Sequence, residues 1–167
     1  MKKFILCFSQ WILNFSVVLS QDQNVADSLK KQLDSDLEMS NRIEVLKQIV
    51  ENEGKPEDAL VYGELLRDIL KKGQDRRQLA LALINLNLAH RTLGNLSEAS
   101  KHYYEALKIF EAINRKDDLA ATYAQEASLL MLEGQYPQSI NEYLQSLGIY
   151  KEIHDTLMTN YIRVNLG

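Results

Sequence analysis

Apolar residues recur along most of this chain at steps of three and four. Leu83 and Leu86 do so in one stretch, with His90 on the same face; Ala99, Tyr103, Ala106, Leu107 and Phe110 do so in the next. That spacing puts each set on one face of a helix. Gly94 stands between the two stretches, where a helix end needs a residue tolerant of positive φ. Ser97 and Glu98 follow, suited to the first turn of a new helix. Pro56 and Pro137 stand near the starts of other helices, where a missing N–H costs nothing. The pattern predicts helix, tight turn, helix. In the segment NVADSLKKQLDSDLEMS, Val25, Leu29, Leu33 and Leu37 recur at four-residue steps. They predict a short helix within residues 21–39 that covers the first helix pair.

The pattern also repeats. RTLGNLSEASKHYYEALKIF (91–110) returns as MLEGQYPQSINEYLQSLGIY (131–150), with Gly94 on Gly134, Tyr103 on Tyr143, Leu107 on Leu147 and Ile109 on Ile149. Gly54, Gly94 and Gly134 are 40 residues apart. Ala59, Ala99 and Ser139 are small at the same offset, and Asn85, Gln125 and Asn165 are all side-chain amides. A fixed period of this length marks a repeat architecture. The expected fold is all-α, an α-solenoid of antiparallel helix pairs, with units near 40–79, 80–119 and 120–159 and a partial unit at 160–167. One such pair cannot bury its apolar face alone; stacked copies can. Ala99, Ala106, Ser139 and Ser146 let helices approach closely, while Tyr103, Tyr143, Leu107 and Leu147 fill the spaces between.

These units resemble those of the tetratricopeptide repeat family, which set large and small residues at fixed places on two helices. Leu83, Leu86, His90 and Tyr103 fall at the large places of one unit, and Asn87, Ala99 and Ala106 at its small ones. The next unit has Tyr123, Glu126, Leu130 and Tyr143, with Ala127, Ser139 and Ser146. The final Asn165-Leu166-Gly167 resembles the opening of a further unit, so the array is expected to be incomplete at the C-terminus. Asn87 and Glu126 depart from the family pattern. So do Lys47, at a small place of the first unit, and Gly63, at a large one. The unit is 40 residues long rather than the usual ~34. Units of this length occur in bacterial peptide-receptor and kinesin-light-chain-like arrays of that family.

Composition adds a second feature. The first 20 residues, MKKFILCFSQWILNFSVVLS, have a basic start, an apolar run and small residues before Gln21. This is the layout of a secretory signal peptide. It implies an exported, periplasmic or secreted chain cleaved near Ser20; a buried N-terminal helix or a retained anchor are the alternatives. Cys7, the only cysteine, follows Leu6 near the start of the run, so lipidation is not expected. Losing Lys2 and Lys3 takes the 19 basic residues to 17 against 23 acidic, a net charge of −6. An acidic chain without a basic stripe is a poor nucleic-acid binder. The pairs Lys30–Lys31, Lys71–Lys72 and Arg76–Arg77 alternate with acids and read as solvated helix faces. No later segment is apolar enough to span a bilayer.

Catalytic signals are absent. His90, His102 and His154 have no second His or Cys at metal-ligand spacing, so no zinc site, and no cofactor, is expected. His90 reads as a satisfied core or interhelix histidine. Asp117–Asp118 and Glu57–Asp58 read as helix-start charges that complement the dipole. The resemblance implies that first helices line a concave groove, where Asn85, Gln125 and Asn165 form an amide ladder along a peptide backbone, with Arg91 and Ser128 as neighbours. An amide has both a donor and an acceptor, so it can satisfy a peptide group without reading its side chain. Solvated polar positions are the alternative. The expected function is a non-catalytic protein- or peptide-binding scaffold. The alternative is the N-terminal sensory part of a longer signalling protein, a histidine kinase or transcriptional regulator. Ile153, Leu157, Tyr161 and Val164 would expose apolar surface at an open end, which also invites self-association.

Overall fold

The computed structural model describes residues 23–166, which form eight helices and no strand. The expected signal segment, with Cys7 and the cleavage place near Ser20, lies outside the described residues, as does Gly167. The helices are α1 (Gln23–Leu33), α2 (Met39–Asn52), α3 (Pro56–Lys72), α4 (Arg76–Thr92), α5 (Leu96–Ala112), α6 (Lys116–Leu132), α7 (Tyr136–Glu152) and α8 (Thr156–Leu166). From α3 to α7 each helix has 17 residues, and successive starts are 20 residues apart. The 40-residue period of the sequence is therefore two steps of a shorter module, one helix and one turn. First helices begin at Arg76 and Lys116, four residues ahead of the unit starts expected at 80 and 120.

The turns explain the module. Gly94 and Gly134 have φ of 76°, as their spacing predicts. Asn114 (φ 55°) and His154 (φ 59°) take the same left-handed conformation at the intervening turns. At each one the residue after it donates to a carbonyl five back, for example Asn95 N–H to His90 O at 2.8 Å and Gln135 N–H to Leu130 O at 2.8 Å. This is the Schellman closure, which satisfies the orphan carbonyls of the ending helix. Gly54 shares the spacing but not the conformation. Its N–H instead donates to Gln23 Oε1 at 3.1 Å, and a Cβ would stand 3.1 Å from that oxygen. Pro56 and Pro137 lie in the first turns of α3 and α7, as expected. Asp75 caps α4 by accepting from the Gln78 N–H at 2.9 Å.

The chain divides into two compact units, residues 23–103 and 104–166 of those described. In the first, α1 packs on α2, α2 on α3, and α3 on α4; in the second, α6 packs on α7 and α7 on α8. This succession of helix hairpins is the architecture of the α-solenoid class. No described helix is long and apolar enough to cross a membrane.

In the first unit α1 is a helix, but its buried face differs from the four-residue stripe. Val25 is exposed, and Ala26 is the buried residue, flanked by half-buried Leu29, Lys30 and Leu33. A strict four-residue step drifts around a helix of 3.6 residues per turn, so the stripe cannot stay on one face. Lys30 is likewise no solvated lysine: it pairs with Glu53, whose side chain is fully buried. Gly63, at a place expected to be large, leaves room for Leu86 of α4; a Cβ there would stand 2.9 Å from Leu86 Cδ2. Asn87 is buried and donates from Nδ2 to the Ala99 carbonyl at 3.0 Å.

The second unit makes the corresponding bond in reverse. Ser139 Oγ donates to the Ala127 carbonyl at 2.7 Å, and these residues lie 40 positions beyond Ala99 and Asn87. Its core gathers Ala120, Ala124, Ala127, Tyr143, Leu147, Tyr150 and Ile162, with Ile153 and Leu166 packed against them. The small and large residues singled out by the repeat are all buried: Ala106, Ser139 and Ser146 among the small, Tyr143 and Leu147 among the large.

Candidate functional site

Asn85, Gln125 and Asn165 are each the tenth residue of their helix, on α4, α6 and α8. The common register follows from the equal helix starts. Asn85 and Asn165 are half-buried and Gln125 is exposed. Among the described residues, no hydrogen-bond partner takes up the side-chain amides of Asn85 and Gln125. The Asn165 Nδ2 is buried without a partner. An amide in that state retains unused donor and acceptor capacity.

The two neighbours differ. Arg91 is half-buried near the end of α4. Ser128 is committed within its own unit: its hydroxyl donates to the Ala124 carbonyl at 3.0 Å and lies 2.9 Å from the Tyr143 hydroxyl. It braces α6 against α7. Burial raises the pKa of Tyr143, partly offset by the Ser128 hydrogen bond. Glu126, also on α6, is buried although the family pattern has an apolar residue at its place.

Residues 23–103 hold a constellation that local spacing does not reveal. Glu64 of α3, His90 of α4 and His102 of α5 converge, with one ligand atom of each within 4.8 Å of the others. His90 is 9% exposed and His102 4%. Their rings stack at 5.3 Å between centroids and 17° between planes. His102 Nε2 lies 3.9 Å from Glu64 Oε1, while Arg67 pairs with Glu64 Oε2. His90 is packed between helices, as expected, but it is not satisfied: its Nδ1 has no hydrogen-bond partner, and its ring meets a second imidazole and, beyond it, a carboxylate. The turn around Gly94 folds α5 back along α4, and α3 adds the acid. Only a placement of three helices brings these residues together.

A scan against protein-family models finds no match to the chain, and a search of curated proteins finds none either. Among solved structures the chain is similar to BtubC (BKLC) from P. vanneervenii. The TM-score is 0.64 at 16% identity, over 85% of this chain and 61% of that one. The likeness is one of fold. The chain thus covers less than two thirds of that protein's length.

Proposed function

We propose that this chain is a non-catalytic scaffold of tetratricopeptide type, which binds an extended peptide or a segment of a partner protein along its first helices. The observation that carries the reading is the amide register. Three first helices each have Asn or Gln at the tenth residue, and two of those side chains have no partner among the described residues. Such amides suit a peptide backbone, which repeats a donor and an acceptor along its length. Ser128 is held in the hairpin brace, and it stays with Arg91 as a neighbour of the proposed contact set. Residues 1–20 make the scaffold an exported one, and N-terminal sequencing of the secreted product would place the cleavage.

The experiment selects peptides on the purified chain from a random-sequence display library and measures their affinity. Asn85→Ala with Gln125→Ala should weaken the selected peptides at least tenfold, with a melting temperature within about 1–2 °C of the parent. Unchanged affinity would leave the amides as solvated positions and end the ladder reading.

A second reading is the sensory front of a longer signalling protein, with the exposed apolar residues of α8 as its starting point. Val164 is 79% exposed, whereas Ile84 and Ala124, at the same place on α4 and α6, are each 8% exposed. Leu157, 84% exposed, is apolar where Arg77 and Asp117 stand in the earlier helices. A further helix would cover both residues, and so would a second copy of the chain. The reading frame downstream of Gly167 tests the first, and concentration-dependent mass by light scattering tests the second.

A further inference from the structure

We propose that Glu64, His90 and His102 form a binding site for a divalent transition-metal ion of the zinc type, which fastens α3, α4 and α5 together. Two imidazoles and one carboxylate are a donor set that zinc accepts, and the two nitrogen ligands disfavour magnesium and calcium. The three side chains already share one small volume, with ligand atoms within 4.8 Å of one another. Ligands of a tetrahedral zinc stand about 3.3 Å apart, so an ion closes the set by about an ångström or slightly more. Small tilts of the stacked rings and a turn of the Glu64 side chain supply that movement. Glu64 has the freedom, since its side chain is 34% exposed.

One further observation points to an ion rather than to a packing pair. His90 Nδ1 is buried and has no hydrogen-bond partner, although the residue is nine-tenths buried. A buried polar atom of that kind normally has a partner, and a metal ion supplies one. The Arg67 pairing with Glu64 Oε2 leaves Oε1 as the oxygen nearest His102. Arg67 is therefore a positioning residue, which orients the carboxylate and whose own charge keeps the affinity moderate. The partly exposed Glu64 edge gives the ion its entry and leaves a fourth position open to water. Three ligands from three successive helices make binding equivalent to a clamp, so the ion stabilises the folded unit by mass action.

The test uses tag-free chain carrying Cys7→Ser, so that no thiol competes. Zinc chloride is titrated by calorimetry, and cobalt(II) is added to a second sample for its visible absorption. The expected result is one ion per chain with a dissociation constant in the micromolar range or below, cobalt bands of a tetrahedral site, and a higher melting temperature with zinc but not with magnesium. His90→Gln, His102→Gln and Glu64→Gln should each weaken zinc binding at least tenfold, while His154→Gln leaves it unchanged. Circular dichroism without metal checks that the variants fold, and Glu64→Gln, at the solvent edge, is the variant least exposed to that risk. No saturable zinc binding by the parent chain overturns the proposal. So does binding that survives in the folded Glu64→Gln and histidine variants, or that is lost with His154.

Discussion

Replacing Lys30 by methionine removes one charge and keeps most of its apolar stem. The Lys30 ammonium lies 2.5 Å from Glu53 Oε2 and 2.9 Å from Asp58 Oδ2, and 5.4 Å from the centre of the Tyr62 ring. The Glu53 side chain is 0% exposed and that of Lys30 19%. Burial works to lower the pKa of Lys30, but the hydrogen bonds and charges of Glu53 and Asp58 outweigh it and hold the pKa above the ordinary lysine range. Lys30→Met therefore leaves the buried Glu53 with one donor, the Lys55 backbone N–H at 3.0 Å. Breaking a fully buried pair from one side costs about 3–5 kcal/mol; with one end partly wet and one donor retained, about 3 kcal/mol applies. Glu53→Gln strands less, because Lys30 keeps Asp58 and the amide oxygen still accepts from Lys55, so it should cost about 1 kcal/mol. In the double variant no charge is left buried alone, and the losses should fall short of additivity by about 1.5–2 kcal/mol. Urea denaturation of the four chains measures the cycle. Repeating it in 1 M sodium chloride should change the coupling little, since Glu53 is sealed from the screening ions. An unchanged midpoint for Lys30→Met, or strict additivity, would refute the claim that this pair docks α1 on the turn between α2 and α3.

Three further outcomes follow from the turns, the hairpin bonds and the buried phenols. Gly134→Ala should lower stability by about 1 kcal/mol because Ala resists positive φ, whereas His154→Gly should raise it by a similar amount; opposite shifts in urea midpoint check this. Asn87→Ala and Ser139→Ala each remove one buried interhelix hydrogen bond and should cost about 1–2 kcal/mol, with calorimetric melting as the measurement. Burial raises the pKa values of Tyr143 and Tyr150 above their ordinary 10.0. A folded-state pKa above the unfolded one gives stability that is complete below about pH 10 and lost as pH rises through the folded value. Lys30, also raised, acts in the same direction. The urea midpoint should therefore hold from pH 7 to about 9 and fall above about 10, and less steeply in Tyr143→Phe/Tyr150→Phe. An equal fall in that variant would remove the phenols as a cause.

Much of the fold was legible because helices announce themselves within one or two turns. Gly94 and Gly134 marked their helix ends because glycine is the residue that tolerates positive φ. Asn114 and His154 take the same conformation without that label, which hid the 20-residue module behind a 40-residue one. The amides at residues 85, 125 and 165 were visible because register alone aligns them. Lys30 was misread because a lysine among acids looks the same whether solvated or paired, and its partner Glu53 sits at the end of another helix. Glu64, His90 and His102 had no signal at all: each comes from a different helix, and no local spacing encodes a meeting of three.

The departures from the expected repeat pattern also have a physical reading. Asn87 stands where a small residue was expected, and Ser139 where the preceding unit has Ala99. In one hairpin the first helix donates to the second; in the next, the second donates to the first. The position of the polar side chain changes while one hydrogen bond between the paired helices stays. A carbonyl has two lone pairs, so Ala99 and Ala127 can accept this extra donor without giving up helical bonding. Asn on one side with Ala on the other, or Ala with Ser, fills the same contact with a small residue and one short donor. What repeats in this chain is thus the contact, and only secondarily the residue types that make it. A pattern scored one residue type at a time sees a mismatch at Asn87, where the structure has one bond made twice.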